Sequence, residues 1–111
     1  MPFLNFNTKN KVKIWDGING ALFHSDKLTV GQMIIDDGIL LPEHSHPHEQ
    51  WLNLIEGELE LTVGGETQVV HPGMTVYIPA NIPHSGKALT ECKVIDVFCP
   101  VREDFVALEK Q

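Results

Sequence analysis

Four turn signals, Asp16-Gly17, Asp37-Gly38, Gly64-Gly65 and Pro72-Gly73, cut this sequence into short runs of β-branched and apolar residues. Breaks every eight to twelve residues or so are the rhythm of an all-β sandwich or barrel. No stretch before residue 100 sustains a helical period. The runs predict strands at 12–15, 28–36, 51–56, 58–63, 67–71, 75–78 and 93–99. The clearest hairpin spans 58–71, where Leu59, Leu61 and Val63 alternate with Glu58, Glu60 and Thr62 about a Gly64-Gly65 turn. The tail, 102–110, predicts a short helix with Phe105, Val106 and Leu108 folded onto the barrel. Without repeats, linkers or low-complexity segments, 1–111 reads as a single domain.

The net charge of -7 argues against nucleic acid or an anionic membrane surface as the main partner, while leaving room for a locally positive site. No apolar run approaches the roughly 18 residues of a membrane span. MPFLNFNTKNK lacks the basic start and apolar stretch of a secretory signal. Cys92 and Cys99 have neither metal-ligand nor redox spacing and are expected to be reduced thiols. A cytoplasmic location is the expectation.

Three of the six histidines, His44, His46 and His48, fall in HSHPHEQ. On a strand, alternate residues share a face, so His44 and His46 are expected to chelate one ion. Two ligands are seldom enough. A third candidate is His84 in IPANIPH, where Pro79 and Pro83 stiffen the backbone. His48 is expected to face solvent or support a ligand, and His24 and His71 to lie on the surface.

The run Gly38-x5-His44-x-His46-x3-Gln50-x6-Gly57 resembles the first cupin motif, and Gly73-x5-Pro79-x4-His84 resembles the second. The resemblance implies a small double-stranded β-helix, or jelly-roll barrel, with motifs at 38–57 and 73–84. It also implies one divalent metal ion held by His44, His46, Gln50 and His84. Gln50 stands where many cupins have Glu, and Asn81 where the second motif has Gly. The Gln amide oxygen can coordinate but cannot take a proton at neutral pH. Glu49 is the rival fourth ligand, one residue early and of opposite strand parity. Imidazole and carbonyl donors suit zinc, nickel, iron, copper or manganese.

Downstream, Val94, Asp96 and Phe98 share one strand face while Ile95, Val97 and Cys99 share the other, so both faces read as buried and one carries a carboxylate. A buried charge is costly unless paired. Asp96 is therefore either a structural acceptor for backbone or Arg102 hydrogen bonds, or an acid or base facing the barrel lumen.

The segment DVF-x-P-x-RED, with HSHPHEQ and IPxNxPH, is similar to the KdgF-type pectin-degradation cupins. These convert 4,5-unsaturated uronates, released when pectin or alginate is cleaved by elimination, into linear keto forms. The resemblance implies Asp96 and Arg102 as catalytic residues. It makes Phe98 and Arg102 the substrate-binding residues for a small anionic sugar acid. Two other readings remain open: an oxygenase using iron and dioxygen, and a non-catalytic sugar- or metal-binding module. A homodimer is expected, since an exposed edge strand needs cover and Phe3-Leu4-Asn5-Phe6 offers a covering segment.

Overall fold

The structure is a computed structural model that describes residues 2–111. Among the described residues ten strands form two antiparallel sheets: β1 (Val12–Trp15), β2 (Ile18–His24), β3 (Thr29–Ile35), β4 (Leu40–His44), β5 (Glu49–Glu56), β6 (Leu59–Val63), β7 (Glu66–Val70), β8 (Thr75–Ile78), β9 (His84–Ala88) and β10 (Cys92–Cys99). The larger sheet runs β1-β2-β3-β10-β5-β8 and the smaller β4-β9-β6-β7. This is the all-β architecture that the turn spacing predicts, in the jelly-roll form that the cupin resemblance implies.

Three strands escape the pattern read from sequence. β2 is interrupted by Gly20, and β9, HSGKA, has no β-branched residue. β4 carries Pro42 and Glu43, which an edge strand tolerates because one side of its backbone needs no ladder partner. Its pairing with β9 shifts register between Leu41 and His44. Strand propensity is weak in all three, and tertiary pairing decides them.

The β6–β7 turn forms as expected. Gly64 and Gly65 both take positive φ, 55° and 87°, as a two-residue turn between right-twisted strands requires. Gly57 is constrained twice, by a φ of 98° and by the Glu91 carbonyl oxygen, which a Cβ would strike.

The core lies between the sheets, with Leu22, Leu54, Val70, Ile78 and Val94 all below 2% exposed. β10 pairs with both β3 and β5 and places Cys92, Val94, Asp96 and Phe98 inward. Its other face differs from expectation: Ile95 and Val97 are only half-buried and Cys99 is exposed. Alternating apolar residues there face the outside of the sheet, where no second layer packs among the described residues. The terminal helix α1 spans Glu103–Leu108 and buries Phe105 edge-on against Phe98, ring centroids 5.5 Å apart.

Candidate metal centre and active site

His44, at the end of β4, is paired across the sheet with His84, the first residue of β9. His46 lies beyond the end of β4, so the two motif histidines do not share a strand face as expected. The loop brings His46 back instead. Its carbonyl accepts the Asn81 N–H at 2.8 Å, tying the loop to the segment that presents His84. Asn81 adopts a φ of 65°, which explains how it replaces the motif Gly: Asn tolerates the left-handed region better than other side chains.

Each imidazole is oriented through Nδ1 by a carbonyl two residues away. His44 bonds to Pro42 O at 2.8 Å, His46 to His48 O at 2.9 Å and His84 to Ile82 O at 2.9 Å. With Nδ1 as the donor, Nε2 keeps its lone pair. One candidate ligand atom from each of the three residues lies within 4.8 Å of the others. Nε2 of His84 is buried with no hydrogen-bond partner. Burial pushes the His46 pKa down to about 4, with the charges of Arg102 and His84 adding to the effect. Burial also lowers His84, more than its bond to Ile82 O raises it. Three imidazoles with converging nitrogens, one of them orphaned, form a donor set that suits a divalent transition metal. The three histidines could hold one.

Gln50 is buried at the start of β5 and bridges two groups. Its Nε2 donates to Asp96 Oδ1 at 3.0 Å, and its Oε1 lies 3.2 Å from His46 Nε2. The carboxylate accepts from the amide nitrogen, so the amide oxygen faces the imidazoles. Glu at this position would set a second carboxylate against Asp96, a repulsion that Gln avoids. Glu49 is half-buried and accepts from the indole of the exposed Trp51 at 2.8 Å, on the opposite face of β5.

Asp96 faces the interior, and its carboxyl is pushed up to about 7 by burial, against the Gln50 hydrogen bond and the Arg102 charge. Arg102 does not pair with it. Arg102 Nε and Nη2 grip Asp104 at 3.0 and 2.7 Å, leaving Nη1 outside that fork. The guanidinium stacks over Phe105 at 3.9 Å and Phe98 at 4.7 Å. All these groups line one cavity of about 410 Å³, together with the three histidines.

No sequence motif assigns a role to Asp104, Thr29, His24 or Glu109, and the structure gives each one a partner. Fully buried Thr29 accepts the Arg102 backbone N–H at 2.8 Å and bonds His24 Nδ1 at 2.8 Å. His24 Nε2 reaches Glu109 at 2.7 Å, and Lys9 meets the other oxygen of that carboxylate at 3.2 Å. His24 is thus engaged by the C-terminal segment rather than free on the surface, whereas His71 is exposed. The only sequence signal was the position of Asp104, two residues after Arg102.

Residues 31–98 match the family described as Cupin domain. This chain belongs to the cupin family. An RmlC-like cupin from Shewanella frigidimarina has the same fold with a TM-score of 0.88 and 26% identity, over 95% of this cupin and 96% of that chain. KdgF from Halomonas sp. is similar with a TM-score of 0.87 and 26% identity, over 95% of this cupin and 98% of that chain. An uncharacterized protein of Streptomyces coelicolor is 29% identical over 86 residues, 77% of this cupin and 82% of that protein. Among the described residues no helix is long and apolar enough to cross a membrane.

Proposed function

We propose that this cupin is a metal-dependent enzyme that converts 4,5-unsaturated uronate monosaccharides into their linear keto forms. The carrying observation is convergence: Asp96, Phe98 and Arg102 line the same cavity as the three histidines and Gln50. The likeness to KdgF over nearly the whole chain supports it.

The reaction is an isomerisation and consumes no co-reactant. Asp96 takes the proton of the C1 hydroxyl as the bond from C1 to the ring oxygen breaks. This leaves an aldehyde at C1 and an enol oxygen at C5. The same carboxyl then returns the proton to C4, the C4=C5 bond becomes single and C5 becomes a ketone. A carboxyl with a pKa of about 7 is suited to both transfers near neutral pH. Arg102 pairs its Nη1 with the C6 carboxylate, while Asp104 and the two phenyl rings hold the guanidinium plane. Phe98 forms an apolar wall against the sugar. A divalent ion held by His44, His46, His84 and Gln50 would supply Lewis-acid stabilisation of the charge developing at the C5 oxygen.

Proton NMR of unsaturated galacturonate and unsaturated mannuronate with the metal-loaded protein tests the reading. The expected result is loss of the C4 vinyl signal faster than the spontaneous reaction for at least one sugar. Equality with the spontaneous rate for both would remove the activity.

Homodimerisation belongs to the same proposal. Phe3 and Leu4 are 88% and 64% exposed, while Phe6 already packs on Phe23 at 5.3 Å, so the N-terminal segment is only partly free to cover a partner. Trp51 and Tyr77 stack at 4.7 Å on the exposed outer face of the large sheet and extend that apolar surface. Light scattering at micromolar concentration should give twice the chain mass. A monomer mass would sink the idea.

A further inference from the structure

The cavity has two levels of different chemistry. One residue pair further along the strands from Asp96 and His84 come Val94 and Gly86; Val94 pairs with Met33, and Gly86 with Leu41 and Leu61. This level carries no polar side chain. β1 and β4 are edge strands of the two sheets, and Ile14 and Trp15 from one line the same cavity as Leu41 from the other. The cavity therefore reaches the seam between the sheets, where Trp15 is 48% exposed. Part of the wall is adaptable. Met33 occupies the space that a Cβ on Gly20 or Gly31 would take, and a thioether chain re-packs readily.

A uronate carries hydroxyls around its ring, and the apolar level offers them no partner. Burying an unpartnered hydroxyl is unfavourable. At about 410 Å³ the space falls in the range that encloses larger organic ligands, about 300–1,000 Å³. We propose that the cavity also binds carboxylates bearing an apolar tail. The head sits at Arg102 and the histidine end, and the tail runs along Val94, Met33 and Leu41 toward the seam beside Trp15. The inference shares with the proposed function only the placing of a carboxylate at Arg102, and it does not require that uronates be turned over.

Calorimetric titration of the metal-loaded protein with butanoate, hexanoate and octanoate tests it. Each methylene should strengthen binding about fourfold while the tail stays inside. Octan-1-ol, which lacks the charge, should bind at least about tenfold more weakly than octanoate. Leu41→Asn and Trp15→Ser should each flatten the series, with an unchanged circular-dichroism spectrum expected for the change at half-exposed Trp15. A flat series in the wild type overturns the proposal. So does a steep series that neither variant alters, because the tail would then lie elsewhere. Uronate NMR on the same samples separates the two readings. Chain-length dependence without turnover leaves this inference standing and removes the enzyme activity, and turnover with a flat series does the reverse.

Discussion

The three-histidine cluster and the last-strand cluster share one cavity but are built by different rules. Each of the three imidazoles is oriented by a carbonyl two residues from it in the chain. Asp96, by contrast, depends on Gln50, 46 residues away, and the Arg102 backbone on Thr29, 73 residues away. Local scaffolding makes the histidine geometry a property of short motifs, whereas the cluster around Asp96 exists only once β3, β5 and β10 have paired. Gln50 touches both, so its amide is the junction between them.

The largest effect should come from cutting the locally built side. His84→Ala should take the metal from about one ion per chain to a small fraction and bring turnover down to the spontaneous rate. Elemental analysis showing undiminished metal would take His84 out of the ligand set. Gln50→Ala should weaken binding less, and Glu49→Ala should not change it, since Glu49 is committed to Trp51 on the outer face.

Asp96→Asn sharpens the contrast. Metal content should stay at the wild-type level while the rate falls about 10²–10⁴-fold, the usual worth of a general base. Full turnover in the variant would make Asp96 structural. The same variant has a signature in the metal-stripped protein. Between the ordinary carboxylate value of 3.8 and about 7, folded Asp96 holds a proton that the unfolded chain releases, so its contribution to stability is lost as pH rises. His46 works the other way. With its pKa lowered from 6.5 to about 4, the unfolded chain binds the extra proton, and stability rises with pH across that window. In wild type the two oppose each other. Asp96→Asn should therefore show a steeper rise in Tm from pH 4 to 6.5, and a Tm above wild type at pH 8. Parallel melting profiles would mean that Asp96 is not buried as a proton carrier.

Smaller effects should follow from loosening the long-range side without removing a reacting group. Asp104→Asn leaves a neutral partner for the Arg102 fork, so KM should rise about three- to tenfold with kcat within about twofold. A fall in kcat at constant KM would assign Asp104 to chemistry instead. Thr29→Val strands the buried Arg102 N–H and should cost about 1–3 kcal/mol in denaturant unfolding, with Thr29→Ser restoring most of it. Equal stability of Val and wild type would show that the amide finds another acceptor.

The turn residues and the alternation of Leu59, Leu61 and Val63 determined the all-β class and the β6–β7 hairpin, because turn chemistry and side-chain parity are local. His44, His46 and His84 were legible for the same reason, even though His46 arrives by a loop and not by strand parity. Legibility stopped where partners are distant. The weak strands β2, β4 and β9 form because stronger neighbours pair with them. Asp104 takes the Arg102 fork that Asp96 was a candidate for, and Thr29 and His24 join the C-terminal segment to the barrel. A side chain's own sequence shows that a carboxylate at Asp96 must be satisfied, since burying it alone is prohibitive. Which group satisfies it depends on the register of β10 against β5, and register is settled only when both sheets close over one core.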